Sequence, residues 1–113
     1  MIRACIFRNR KQEIWGFEIE GHSGYAEAGS DIICAAVSAL AINTANCLES
    51  LAGVKPEVTS SEGFLSCEVS DIRREEKSWD KAGLLFLSLE QGLQSIAETY
   101  GKKYLTVSTY QKA

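Results

Sequence analysis

One histidine and four cysteines carry the strongest acid–base and nucleophilic chemistry available to this 113-residue chain. His22 and Cys34 stand on one glycine-rich stretch, with Gly21 before the histidine and Gly24 and Gly29 between the two. An imidazole titrates near neutral pH and can take a proton from a thiol. The resulting thiolate is a nucleophile for carbonyl carbon. Cys34 opens a run of small and apolar residues, which places it in the first turn of a helix. There the helix dipole and the unpaired N–H groups favour a thiolate, and the same N–H groups suit a developing oxyanion. The plain alternative is that Cys34 is a small core hydrophobe and His22 a surface residue without a role. Position alone leaves both readings open.

Two neighbours can support such a pair. Asp31 reads first as a helix N-cap, with Ser30 the other candidate, and second as a group that orients the imidazole. Ser38 follows Cys34 by one turn on the same helix face, about 5–6 Å away between Cβ atoms. It either donates to the sulfur or packs as a small residue. Between base and nucleophile, residues 23–30 hold only Tyr25 as a large apolar anchor, and Gly24 and Gly29 loosen the backbone. Such a segment has little to offset its ordering entropy. It is expected to be mobile, or to block the site, until a peptide orders it. Gly21, Ser23, Gly24, Tyr25, Gly29 and Ser30 are therefore candidate gating residues. Cys5, Cys47 and Cys67 fall on strand or mid-helix positions with apolar neighbours and read as core. There is no CxxC pair, and a single histidine cannot complete a Cys/His zinc pattern, so no metal or cofactor is expected.

The elements that must position these residues follow from periodicity. Residues 2–8 and 14–20 alternate and form two strands joined by a polar turn, with Trp15, Phe17 and Ile19 expected on one face. A helix is predicted from the cap at 30–31 to about Leu51, its buried stripe Ile33, Val37, Leu40, Thr44, Cys47, Leu48 and Leu51, with its alanines smooth enough for close backbone approach. Gly53 stops it. A second hairpin spans 56–60 and 64–69 about a turn at Ser61-Glu62-Gly63. A charged connector runs from Ser70 to Lys77. Ser78 then caps a second helix reaching Tyr100, with Ala82, Leu85, Phe86, Leu89, Leu93, Ile96, Ala97 and Tyr100 buried and Gly101 as its stop. Leu84 and Leu87 fall off that stripe, either as surface leucines or as part of a subunit interface. Tyr104 to Tyr110 is the last strand. The order is ββαββαβ: a single α+β domain over 1–113, with a mostly antiparallel sheet and two helices packed on it.

A net charge of −3 argues against a protein that grips nucleic acid by its charge. The N-terminus has no signal-peptide pattern, and the apolar stretches read as too short and interrupted to span a bilayer. A cytoplasmic location with reduced thiols and no membrane partner is expected.

The stretch Gly21-His22-Ser23-Gly24-Tyr25-Ala26, followed by Gly29-Ser30-Asp31-Ile32-Ile33-Cys34-Ala35-Ala36-Val37-Ser38-Ala39-Leu40, resembles the signature of the ribosomal-processing cysteine protease family, Prp. Length and element order are similar too, so the resemblance covers essentially the whole chain. Ser23 stands where Ala is more common, and Ile33 where Val is. The resemblance implies His22 and Cys34 as the catalytic dyad of a homodimeric cytoplasmic endopeptidase. It also implies the substrate: a short N-terminal extension of ribosomal protein L27, cut after an aromatic residue in a sequence like Leu-Asn-Leu-Gln-Phe-Phe. The loop between histidine and cysteine is then expected to move aside for the peptide. Two other classes compete. One is a non-enzymatic, ribosome-associated binding module. The other is a thiol redox protein, which needs Cys5 or Cys67 folded close to Cys34 as a resolving thiol.

Overall fold

A computed structural model describes residues 1–27, 30–69 and 76–111. Five strands and two helices follow in the order β1 (Ile2–Arg8), β2 (Ile14–Glu20), α1 (Ile32–Ser50), β3 (Glu57–Ser61), β4 (Phe64–Glu68), α2 (Glu76–Tyr100) and β5 (Leu105–Gln111). They make one sheet in the order β3-β4-β2-β1-β5. Every pairing is antiparallel except that of β1 with β5. This is the expected ββαββαβ α+β domain.

The period-two pattern of β1 sends Ile2, Ala4 and Ile6 into the core, all at 2% exposure or less, while Arg3, Cys5 and Phe7 point the other way. Phe17 lies opposite Ile6 and meets Phe86 of α2 edge-on, with ring centroids 6.3 Å apart. Ile33, Val37 and Leu48 of α1 join Phe86, Leu89 and Leu93 of α2 over this face. Each such side chain contributes about 1.5–3 kcal/mol by leaving water. The helices touch where Leu40 sits on Gly92: a Cβ at 92 would come within 2.9 Å of a Leu40 methyl.

Several expectations are corrected in detail. Trp15 does not share a face with Phe17 and Ile19. The β1–β2 register shifts between Phe7 and Arg8, so the extra residue flips, and Trp15 stacks on Phe7 at 5.1 Å while Ile14 goes into the core. In α1, Ala41 and Ala45 are buried where Leu40 and Cys47 were expected, and Leu51 is exposed. The stripe is turned towards the alanines, and the close neighbour of α1 is α2, where Leu40 lies over Gly92. Ser78 does not cap α2, which is already helical at Glu76. Tyr100 is exposed, and Trp79 takes a buried place instead, its indole N–H donating to Glu13 Oε2 at 2.8 Å. β3 begins after Pro56, and the hairpin turn is Glu62-Gly63 alone. Residues 70–75 of the expected charged connector lie outside the described residues.

By length and apolar composition α1 could cross a membrane, contrary to the expectation that no stretch is long enough. Part of its apolarity has a local cause, because Ile33, Val37, Ala41 and Leu48 sit inside the domain core, while Ile32 and Ile42 are exposed.

Candidate active site

His22 sits at the end of β2, where the chain must leave the sheet. Gly21 makes the turn with φ +94, its N–H donating to Gly63 O at 2.8 Å. A Cβ at 21 would come within 2.4 Å of Met1 O, so glycine is required there. The imidazole of the exposed His22 lies against the β3–β4 turn. A Cβ on Gly63 would stand 3.0 Å from Nε2. Gly63 has φ +71, which suits the second position of this two-residue hairpin.

Cys34 is on the first turn of α1, as expected. Asp31 rather than Ser30 is the N-cap, its Oδ1 accepting from the N–H groups of Ile33 at 3.0 Å and Cys34 at 2.9 Å. Its Oδ2 accepts from the Ser23 hydroxyl. Desolvation pushes the Asp31 carboxyl up, but hydrogen bonds from the Ser23 hydroxyl, the Cys34 N–H and thiol and the Ile33 N–H outweigh it and hold it at about 2. The Ser23 backbone N–H donates to Cys34 Sγ at 3.3 Å. The expectation that helix-start N–H groups are ready for an oxyanion is corrected here. Ile33 and Cys34 N–H are engaged by the Asp31 carboxylate, and Ala35 N–H by its backbone oxygen at 3.1 Å.

His22 and Cys34 line one groove of about 730 Å³, which Ser38 and Gly21 also line. The groove follows α1 from Cys34 to Glu49, a helical rise of about 22 Å. Val58 and Phe64 of the β3–β4 hairpin form part of its wall. At about 3.3 Å per residue an extended peptide of roughly six residues fits that length. Gly24, Tyr25 and Ser30 are not among its lining residues, and Gly29 lies outside the described residues. Tyr25 instead packs edge-on against Tyr104 at 5.3 Å and Tyr100 at 6.1 Å. Among the described residues no group of three or more His, Cys, Asp or Glu is placed to hold a metal ion.

Sequence reasoning missed Gly63 as a site residue. A turn was legible there, but nothing local in the sequence places it beneath an imidazole on another strand.

The other cysteines are poorly placed as redox partners. Cys5 is on the sheet face away from the helices, and Cys47 is thirteen residues along α1, about 20 Å from Cys34. Cys67 is fully buried, and that burial, with the Glu68 charge, pushes its thiol up to about 12.

A thiol at a helix start, an imidazole at a strand end and an extended groove that both line suit a thiol peptidase more than a redox or scaffolding protein. Comparison with known proteins gives the family. The family model described as cysteine protease Prp matches residues 1–105, and the chain belongs to that family and is a cysteine protease. The ribosomal processing cysteine protease Prp of Bacillus subtilis is 33% identical over 111 residues, spanning 96% of this chain and 97% of its own. The crystal structure of SMU.848 from Streptococcus mutans superposes with a TM-score of 0.83 at 33% identity, over 99% of this chain and 96% of that one. Prp from S. aureus, crystallised with a covalently linked product peptide, has the same fold, with a TM-score of 0.85 at 24% identity over 97% of this chain and all of the other.

Proposed function

We propose that this protein removes the N-terminal extension of ribosomal protein L27, with Cys34 as nucleophile and His22 as general base and acid. The observation that supports the reading is the groove, which His22 and Cys34 both line and which is long enough for an extended peptide. His22 takes the Cys34 proton, and the sulfur attacks the scissile carbonyl carbon. The tetrahedral intermediate collapses as His22 returns the proton to the leaving amine, which leaves a thioester on Cys34. Water, deprotonated by His22, then releases the acid product. Ser38, one turn along α1 and also lining the groove, supports the sulfur or the substrate. Asp31 acts through the helix start and not through the imidazole.

The same reading makes the protein a cytoplasmic homodimer without cofactor. Four free thiols suit a reducing compartment. Leu84 at 69% and Leu87 at 43% exposure share one face of α2 and give an apolar patch for a second subunit. Tyr25, packed on Tyr100 and Tyr104, anchors the loop that gates the groove. A binding module would need the groove but not the thiol.

The test is a synthetic peptide spanning the L27 extension, followed by mass spectrometry. Cleavage after the first aromatic of Leu-Asn-Leu-Gln-Phe-Phe is expected. A peptide with both aromatics replaced by alanine should remain intact. Equal cleavage of both peptides, or of neither, would contradict the substrate assignment.

A further inference from the structure

Ser23 directly follows the proposed base and is 3% exposed, although His22, Gly24 and Tyr25 all face solvent. A buried hydroxyl requires partners. This one donates to Asp31 Oδ2 and accepts from Tyr25 N–H at 3.1 Å. The Ser23 backbone N–H meanwhile reaches Cys34 Sγ at 3.3 Å. The other Asp31 oxygen is fixed by the N–H groups of Ile33 and Cys34. One carboxylate thus joins the residue after the base to the turn that carries the nucleophile. The His22 ring itself makes no hydrogen bond among the described residues. It is placed by contact with Gly63 and by its two chain neighbours, Gly21 on one side and Ser23 on the other.

The geometry points to Ser23 as a positioning residue, whose hydroxyl, held by Asp31, fixes the backbone carrying His22 against the Cys34 sulfur. This rests on the reading of His22 and Cys34 as base and nucleophile. A hydroxyl bonded to an ionised carboxylate is among the stronger hydrogen bonds. Alanine at 23 would leave Asp31 Oδ2 without this donor and the 22–25 backbone free to shift. A shift of about 1 Å between reacting groups costs up to 10²-fold in rate. Ser23 does not line the groove, so its loss should leave peptide binding alone.

The experiment compares Ser23→Ala and Ser23→Thr with the unaltered protein, on the L27-type peptide and in its absence. For Ser23→Ala, kcat should fall about tenfold or more with KM changed less than about twofold. Ser23→Thr keeps the hydroxyl and should recover most of the loss. In a His22→Gln background Ser23→Ala should cost nothing further, because the group it positions is gone. Unchanged kcat, a loss confined to KM, or an equal loss in the His22→Gln background would each overturn the proposal. Amide hydrogen exchange needs no substrate. The amides of residue 23 and Tyr25 should exchange faster in Ser23→Ala, and equal protection would overturn the clamp. If the unaltered protein leaves the peptide intact, the substrate assignment fails, and the exchange comparison still decides the role of Ser23.

Discussion

At the scale of single residues, the site is one thiol, one imidazole and the carboxylate that organises the helix start. If His22 is the proton carrier, His22→Ala should lower kcat by roughly 10²–10⁴ while Cys34 stays in place. A smaller loss in steady-state cleavage would assign the proton to another group. Asp31 has a different role, legible in its charge. Its folded carboxyl sits at about 2, below the ordinary value of about 3.9. The folded state therefore binds that proton more weakly. The stability contributed by Asp31 is fully present above about 3.9 and is lost as the pH falls through about 2. Asp31→Ala should cost about 1 kcal/mol as a lost N-cap near neutral pH. Thermal melts of the two proteins should converge between pH 5 and pH 2. A gap that stays constant with pH would show that the cap does not work through its charge.

At the scale of elements, the hairpin turn between β3 and β4 bears on the proposed dyad as the helix does. Gly63 leaves the space in which the His22 ring lies. Gly63→Ala should cost roughly 1–2 kcal/mol in stability from its positive φ. It should cost more in kcat, because the new methyl meets the imidazole 3.0 Å from Nε2. Comparing urea midpoints with turnover separates the two effects, and turnover unchanged beside a lowered midpoint would mean the ring relaxes freely. This contact also shows why the sequence was legible only in part. Alternation gave β1 and β2, and the period of 3.6 gave both helices, because those signals are local. The Asp31 cap was legible for the same reason. The bulge that turned Trp15 onto Phe7 was not, since its cause is the register between two strands. Nor were the buried positions of Ala41 and Ala45, which depend on how α1 is turned against α2 and the rest of the core. The Gly63 contact depends on a pairing across the fold.

At the scale of the whole molecule, one ion pair ties the sheet to α2. The Arg8 guanidinium donates both ways to Glu90, Nη1 to Oε2 and Nη2 to Oε1, each at 2.7 Å, and both side chains are largely buried. Glu90→Ala should destabilise by about 3–5 kcal/mol by leaving a buried charge unpaired. The double change Arg8→Met with Glu90→Leu should cost less than either single change in urea unfolding. Additive losses would show that the pair is not coupled. Sedimentation tests the assembly. The unaltered protein should sediment as the proposed dimer, and Leu84→Lys with Leu87→Lys as a monomer. An unaltered protein that is already monomeric would contradict the dimer, and a variant that stays dimeric would place the interface elsewhere.

The central claim is that Cys34 carries the peptide during turnover, and intact-mass spectrometry of acid-quenched enzyme reads it directly. Mixed with the L27-type peptide, the protein should gain the mass of the acylated N-terminal extension, mapped to the fragment containing Cys34. Cys34→Ala should show neither adduct nor cut. An adduct on Cys5, Cys47 or Cys67, or cleavage by Cys34→Ala at the original rate, would contradict the mechanism.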